Sequence, residues 1–231
     1  MKYIGRLLGR VFVLFAALLL IYQAWLFGHV VWWVWFDPRN TAFMDARLEE
    51  LRSKNPKAQL QHEWVRYERI SVHLKQALIA AEDGKFLDHD GFDWEAIQEA
   101  AEKNLRKGKV VAGGSTISQQ LAKNLFLSGR RTPWRKLQEA AITVMIESVM
   151  SKRRILEIYL NVIEWGEGIF GAESAARHYY GAGAEWLSPW QAAQLAAMVP
   201  RPRFYDRVRF TPLLERRTEI ILGRLYYVEV P

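Results

Sequence analysis

The chain contains no cysteine, which removes thiol nucleophiles and cysteine-ligated zinc from its chemistry and suits an exported protein that avoids stray oxidation. Internal repeats and low-complexity tracts are also lacking, so a solenoid or a disordered linker protein is excluded. Acidic residues are in deficit, 25 against 32 lysines and arginines, and the formal charge of +7 favours anionic partners such as lipid headgroups, phosphates or nucleic acid. In one stretch charge itself is missing. From Val11 to Phe36 there is no ionised side chain, and only Tyr22, Gln23, Gly28 and His29 interrupt the apolar run. What remains is a chain of 231 residues, half of them hydrophobic, long enough for one moderate domain with a sizeable core and an appendage.

The charge-free run is long enough to cross a bilayer with some tilt, and it is read as a transmembrane helix. A cleavable signal peptide is the competing reading, but the run is too long for a signal core and no clear small-residue cleavage site follows it. Lys2, Arg6 and Arg10 precede the run, which places that end in the cytoplasm and everything after Asp37 across the membrane. Trp32, Trp33 and Trp35 fall where an outer interfacial belt belongs. The organisation read from sequence is a cytoplasmic tail at 1–10, a membrane helix at 11–36, a connector near the membrane at 37–63 and a domain at 64–231. An exported, tethered domain argues against nucleic acid as the anionic partner.

Beyond the anchor, Ala42 to Leu51 reads as a short helix and Gln61 to Ile70 as an extended segment. Ser71 caps a helix whose Leu74, Ala77, Leu78 and Ala81 share a face and which ends at Glu82-Asp83-Gly84. Asp93 caps a second helix. Thr132-Pro133 opens another, with Leu137, Ala140, Ala141, Val144, Met145 and Ser148 expected along its packed side. Helices around Ile155 to Leu160, over Gly171 to Tyr180 and after Ser188-Pro189 complete a mainly α domain with almost no strand.

The most informative segment is Gly113 to Asn124, Gly-Gly-Ser-Thr-Ile-Ser-Gln-Gln-Leu-Ala-Lys-Asn, in which only Ile117, Leu121 and Ala122 are left to pack. Two glycines let backbone approach a ligand, and Ser115 or Thr116 can cap a helix that carries Ser118, Gln119, Gln120, Lys123 and Asn124. Upstream, Glu82 emerges at the end of an apolar helix, a good position for a general base held by packing with its tip in a cleft. Glu139 stands four residues after Arg135 and three after Lys136, a spacing that ordinarily makes an exposed ion-pair face. Lys152 to Asn161 reads, taken alone, as a basic helix entrance.

Taken together and in order, these four segments resemble the peptidoglycan glycosyltransferases, the lysozyme-like polymerases of glycosyltransferase family 51. The similarity runs from about Trp64 to Pro200, through Glu82 to Gly91, Gly113 to Asn124, Arg135-Lys136 with Glu139, and Lys152 to Asn161. The resemblance implies a lysozyme-like helical domain that joins lipid II, a disaccharide-pentapeptide on undecaprenyl pyrophosphate, into β-1,4-linked glycan strands with inversion, releasing undecaprenyl diphosphate for cell-wall synthesis. It implies Glu82 as the base on the acceptor hydroxyl and Glu139 as the second acidic residue, orienting a metal ion or arranging cations. Lys123, Arg135 and Lys136 become the phosphate-facing cations, Ser115, Gln120 and Asn124 hold sugar or phosphate oxygens, and His89 fixes the first motif by hydrogen bonding. No cofactor is required by this reading, although a divalent cation (Mg or Mn) is compatible with it. The implied partners are lipid II, the growing strand, the membrane and other cell-wall synthesis proteins; the implied location is a bacterial inner membrane, single-pass, with the catalytic domain periplasmic.

No Ser-x-x-Lys and no Lys-Thr-Gly occurs, so the peptide cross-linking signatures of two-domain relatives are absent and the expected enzyme is monofunctional. Two rivals share some of these features. A lytic enzyme of lysozyme-like fold would use a glutamate in a helical cleft but has no need of a pyrophosphate-binding cluster, and a silent membrane scaffold has no need of both carboxylates. Glu82 and Glu139 are expected to face one cleft without touching. Phe43, Met44 and Leu48 are expected near the outer leaflet, and the region after Pro200 is expected to close the fold through a helix at Leu213 to Leu225.

Overall fold

The computed structural model describes residues 2–109, 111–127 and 132–231. These divide into two compact units, one up to Asp37 and the other Pro38–Pro231. The first is the helix α1 (Lys2–Trp32), of which Arg6–Trp32 has a mean hydropathy of 2.2 and the length to span a membrane. The helix starts earlier than the charge-free run and stops before its end. Trp33 to Phe36 leave it as turns, with Trp35 and Phe36 amides both donating to the Trp32 carbonyl, and Asp37, preceding Pro38, is disfavoured in helical geometry.

Among the described residues the second unit has ten helices, α2 (Ala42–Lys54), α3 (Val72–Glu82), α4 (Trp94–Lys107), α5 (Ile117–Phe126), α6 (Pro133–Val149), α7 (Lys152–Val162), α8 (Ala172–Tyr180), α9 (Pro189–Met198), α10 (Pro202–Arg207) and α11 (Pro212–Leu222). Three short strands, β1 (Gln61–His62), β2 (Glu164–Gly166) and β3 (Ile169–Phe170), pair in the order β1-β3-β2, the first pair parallel and the second antiparallel. The segment read as extended over Gln61 to Ile70 is extended only at β1; Tyr67–Arg69 is a single 3₁₀ turn.

Local chemistry sets the helix starts. Ser71, Asp93, Thr116, Thr132, Ser151 and Ser188 each accept a backbone N–H from the first turn of the helix they precede. Thr116 and Ser188 complete capping boxes with Gln119 and Gln191. Packing then follows from the apolar faces: α3 and α11 lie on α9, and α5 lies against α2, α6 and α7. Fully buried Phe86, Ile117, Tyr159, Trp165, Phe170 and Tyr205 fill the space between them.

This packing draws in the connector and corrects one expectation. α2 packs on α5 within the same unit; Met44 is buried in the core and Phe43 lines a cavity. The packed side of α6 is Glu139, Ile142, Thr143 and Ile146, whereas Leu137 and Val144 are exposed. α6 has two partly apolar faces, and the one chosen is the face that brings Glu139 against α5.

Candidate active site

The end of α3 and the start of α5 are joined by buried polar contacts. Asp83 accepts the Ile117 amide on Oδ2 at 2.9 Å and meets His89 Nε2 through Oδ1 at 2.9 Å. The Gly91 amide donates to His89 Nδ1 at 3.1 Å, so the ring holds its proton on Nε2 and bridges both ends of the turn. Thr116 Oγ1 donates to the Gly91 carbonyl at 2.7 Å while accepting the Gln119 amide. Gly91 needs its positive φ of 90° here, and a Cβ would strike Thr143 at 2.7 Å. Gly114 is needed for close approach: its Cβ would lie 2.9 Å from the Ala96 carbonyl oxygen on α4. His89 thus has the motif-fixing place expected of it, and Lys152 strengthens the turn by donating to the His89 carbonyl and pairing with Glu147 at 2.9 Å.

On this frame Glu82 stands at the C-terminus of α3, lining a recess of about 150 Å³ with Asp83, Gly113, Gly114, Ser115 and Thr116. Its Oε2 accepts a hydrogen bond from Gln120 Nε2 at 2.8 Å. Gln120 in turn lines a larger cavity of about 580 Å³ with Lys123, Asn124 and Tyr159. Burial raises the Glu82 carboxyl above its ordinary value, opposed by the Gln120 hydrogen bond and by the charges of Arg217 and Lys123.

Lys123 lies electrostatically between the two carboxylates. Burial lowers its ammonium, Glu139 and Glu82 raise it, and Arg135 and Lys136 lower it. Glu82 and Glu139 therefore both act on Lys123 electrostatically, but only Glu82 lines a space here; Glu139 lines neither the recess nor the larger cavity. Glu139 is not the exposed ion-pair residue its spacing suggested: it is 3% exposed, and its oxygens are held by Arg135 Nη1 at 3.0 Å and by Lys136 Nζ. Lys136 also reaches Ser115 Oγ at 3.4 Å. Arg135 Nε is buried with no hydrogen-bond partner among the described residues. Three cations thus converge around a buried carboxylate that is already committed to two of them, a surface suited to a multiply charged anion.

Residues 48–226 match the transglycosylase family. The chain belongs to that family. A biosynthetic peptidoglycan transglycosylase of Nitrosospira multiformis is 64% identical over 222 residues, covering 96% of each chain. One of Laribacter hongkongensis is 64% identical over 215 residues, 93% of this chain and 94% of the relative. Another, of Methylobacillus flagellatus, is 60% identical over 228 residues, 99% of this chain and all of the relative. The protein is a peptidoglycan glycosyltransferase acting in cell-wall synthesis, as its four motifs implied.

All eight site residues read from sequence fall in this one region, though they differ in what they touch. Glu82, Ser115, Gln120, Lys123 and Asn124 line the two spaces, and Asn124, 5% exposed, also donates to the Gln120 carbonyl at 2.7 Å. Within the polar block Ser118 and Gln119 are buried framework. The fourth motif is framework as well: Asn161 fastens residue 65 through both its amide atoms at 2.9 Å, and Glu157 accepts the Tyr67 amide.

The sequence reading missed Tyr159, which donates to Gln120 Oε1 at 2.7 Å, and Arg217, whose charge acts on Glu82 from α11. It also missed Arg47, Arg201, Arg203 and Arg207, which line the larger cavity. The region after Pro200 therefore lines the larger cavity as well as closing the fold. Tyr159 was visible inside the fourth motif but fell on a buried apolar face; the arginines gave no signal that spacing could read.

A divalent cation finds no ready ligand set here. Among the described residues no three His, Asp or Glu side chains converge, and both oxygens of Glu139 and of Asp83 are already engaged.

Proposed function

We propose that the enzyme polymerises lipid II, with Glu82 as general base and Lys123, Arg135 and Lys136 as the cations that stabilise the departing pyrophosphate. Glu82 removes the proton from the 4-hydroxyl of the acceptor's GlcNAc. The acceptor oxygen forms a bond to C1 of the lipid-linked MurNAc on the growing strand from the face opposite the pyrophosphate. The C1–O bond breaks, its electron pair leaves with the undecaprenyl diphosphate, and the new linkage is β-1,4 with inversion.

The observation that carries this reading is Glu82 lining the recess and bonded by Gln120, which lines the adjoining cavity with Lys123, while Arg135 and Lys136 are held nearby on the buried Glu139. A carboxyl raised by burial is a stronger base than a free one when ionised, and general-base help is worth about 10²–10⁴ in rate. The leaving group needs charge stabilisation more than a proton, which fixed ammonium and guanidinium groups supply without reorganisation. Glu139 arranges those cations and has no role in proton transfer; no step in this reading passes through a metal ion.

In this reading α1 spans the inner membrane with its basic N-terminus cytoplasmic and the catalytic unit periplasmic. Lipid II does not leave the bilayer, so tethering confines the search to two dimensions. The test is Glu82→Gln against Lys123→Ala on lipid II. Glu82→Gln is expected to bind lipid II near wild-type affinity with turnover down by at least about 10²-fold, while Lys123→Ala weakens binding as well. Unimpaired turnover in Glu82→Gln would reject Glu82 as base.

A further inference from the structure

We propose that Tyr159 is a positioning residue for this reaction, locking the Gln120 side-chain amide so that its N–H, and not its carbonyl oxygen, meets Glu82. The proposal rests on Glu82 being the base.

Tyr159 sits on α7, fully buried. Its hydroxyl donates to Gln120 Oε1 at 2.7 Å, and Gln120 Nε2 donates to Glu82 Oε2 at 2.8 Å, a chain of two bonds from core to base. Nε2 also lies 3.5 Å from the Ser115 carbonyl, a second acceptor on the same side. Gln120 Oε1 is the one hydrogen-bond partner of the Tyr159 hydroxyl among the described residues. An amide is nearly symmetric in shape, so half a turn about its last bond would exchange oxygen and nitrogen without steric cost. An ionised Glu82 itself favours the N–H; once Glu82 is protonated, the phenol is what keeps the amide from turning to accept that proton. Burial, with the neighbouring Glu82 and Asp83 carboxylates, pushes that phenol well above its ordinary value, so it remains a proton donor throughout the working range. A turned amide would set its NH₂ against this donor and leave a buried O–H unpaired.

The orientation matters because Glu82 must be ionised to act. An N–H aimed at the carboxylate favours the ionised form, whereas a carbonyl oxygen there would accept from the protonated form and favour it. The groups facing Glu82 are Gln120 and Lys123 from α5, Arg217 from α11, Tyr159 from α7 and Asp83 beside it. Tyr159→Phe removes one oxygen and alters none of the charges. In that variant the amide is free to turn, and Glu82 titrates higher than in the wild type.

The experiment measures lipid II polymerisation against pH for full-length wild type, Tyr159→Phe, Gln120→Ala and the double variant, with a melting curve for each. Tyr159→Phe is expected to lose about tenfold in kcat with little change in KM, and the acid limb of its kcat profile to move up by roughly half a pH unit or more. The double variant should be no slower than Gln120→Ala, because Tyr159 acts only through Gln120. An unmoved acid limb in Tyr159→Phe, or losses that add in the double variant, would overturn the proposal and leave Tyr159 as packing. Should Tyr159→Phe melt too low to assay, an unmoved acid limb in Gln120→Ala overturns it equally. Glu82→Gln, run alongside, separates the cases: full turnover there defeats the base assignment itself, whereas loss there with a silent Tyr159→Phe defeats only the positioning role.

Discussion

Glu82 is held in a state that its own fold disfavours. Its folded-state pKa is raised, first by burial, so the favourable contribution of the protonated side chain is complete below the unfolded value and is lost as pH rises through the folded one. Ionising the carboxylate therefore costs stability, and the proposed role as base requires that ionised form. Glu82→Gln removes that cost and is expected to raise the melting temperature by about 2 °C at pH 7, with the gap closing near pH 4. Parallel melting curves at the two pH values check this; a lower melting temperature at pH 7 would mean that Gln120 and the nearby cations outweigh burial. Glu139 is the opposite case, a buried carboxylate matched to Arg135 and Lys136. Glu139→Gln is expected to destabilise the protein by roughly 1–3 kcal/mol in denaturant titrations. It should also lower turnover, because both cations lose the group that aims them. Residue identities at both positions were legible from sequence. The burial of Glu139 was not, since a spacing of three and four residues from basic neighbours is shared by solvated helix faces and by site-forming ones.

At the scale of elements, the start of α5 is where sequence and structure agree most closely. Thr116 was a candidate cap from the Gly-Gly-Ser-Thr pattern alone, and it completes a capping box with Gln119. What the pattern did not disclose is the second bond of Thr116, to the Gly91 carbonyl, which ties the cap to the turn after Glu82. Thr116→Ala is expected to cost about 1–2 kcal/mol in stability, and to lower turnover further than that loss explains, because α5 carries Gln120 and Lys123. A turnover loss no larger than the unfolded fraction would contradict this. The packed face of α6 was misread for a related reason: hydrophobic spacing identifies a helix, but two faces with small and apolar residues leave the choice to the partner helix. Gln61 to Ile70 shows a similar limit, since short strands here owe their existence to β3, about a hundred residues away, and not to local alternation.

For the whole molecule, the order of the four motifs was enough to give the family, because together they supply the residues that line the cleft and the framework that holds it. The contributions of Tyr159, Arg217 and the cavity arginines come from α7, α11 and the segment after Pro200, and only tertiary packing brings them in. Met44 is buried in the core, so Met44→Asp should unfold the catalytic unit, which a loss of the cooperative melting transition would show. Removing the residues up to Asp37 is expected to lower the rate on bilayer-embedded substrate by at least about tenfold through lost tethering, with a smaller effect in detergent. Equal losses in both media would contradict the tethering argument.

In the proposed mechanism this cleft makes glycan strands with Glu82 as its base. The most direct measurement is to incubate detergent-solubilised full-length protein and its Glu82→Gln variant with labelled lipid II and analyse the products before and after muramidase digestion. Muramidase-sensitive polymer is expected from the wild type and none from the variant. Polymer from Glu82→Gln at the wild-type rate, or no polymer from a well-folded wild type, would contradict that mechanism.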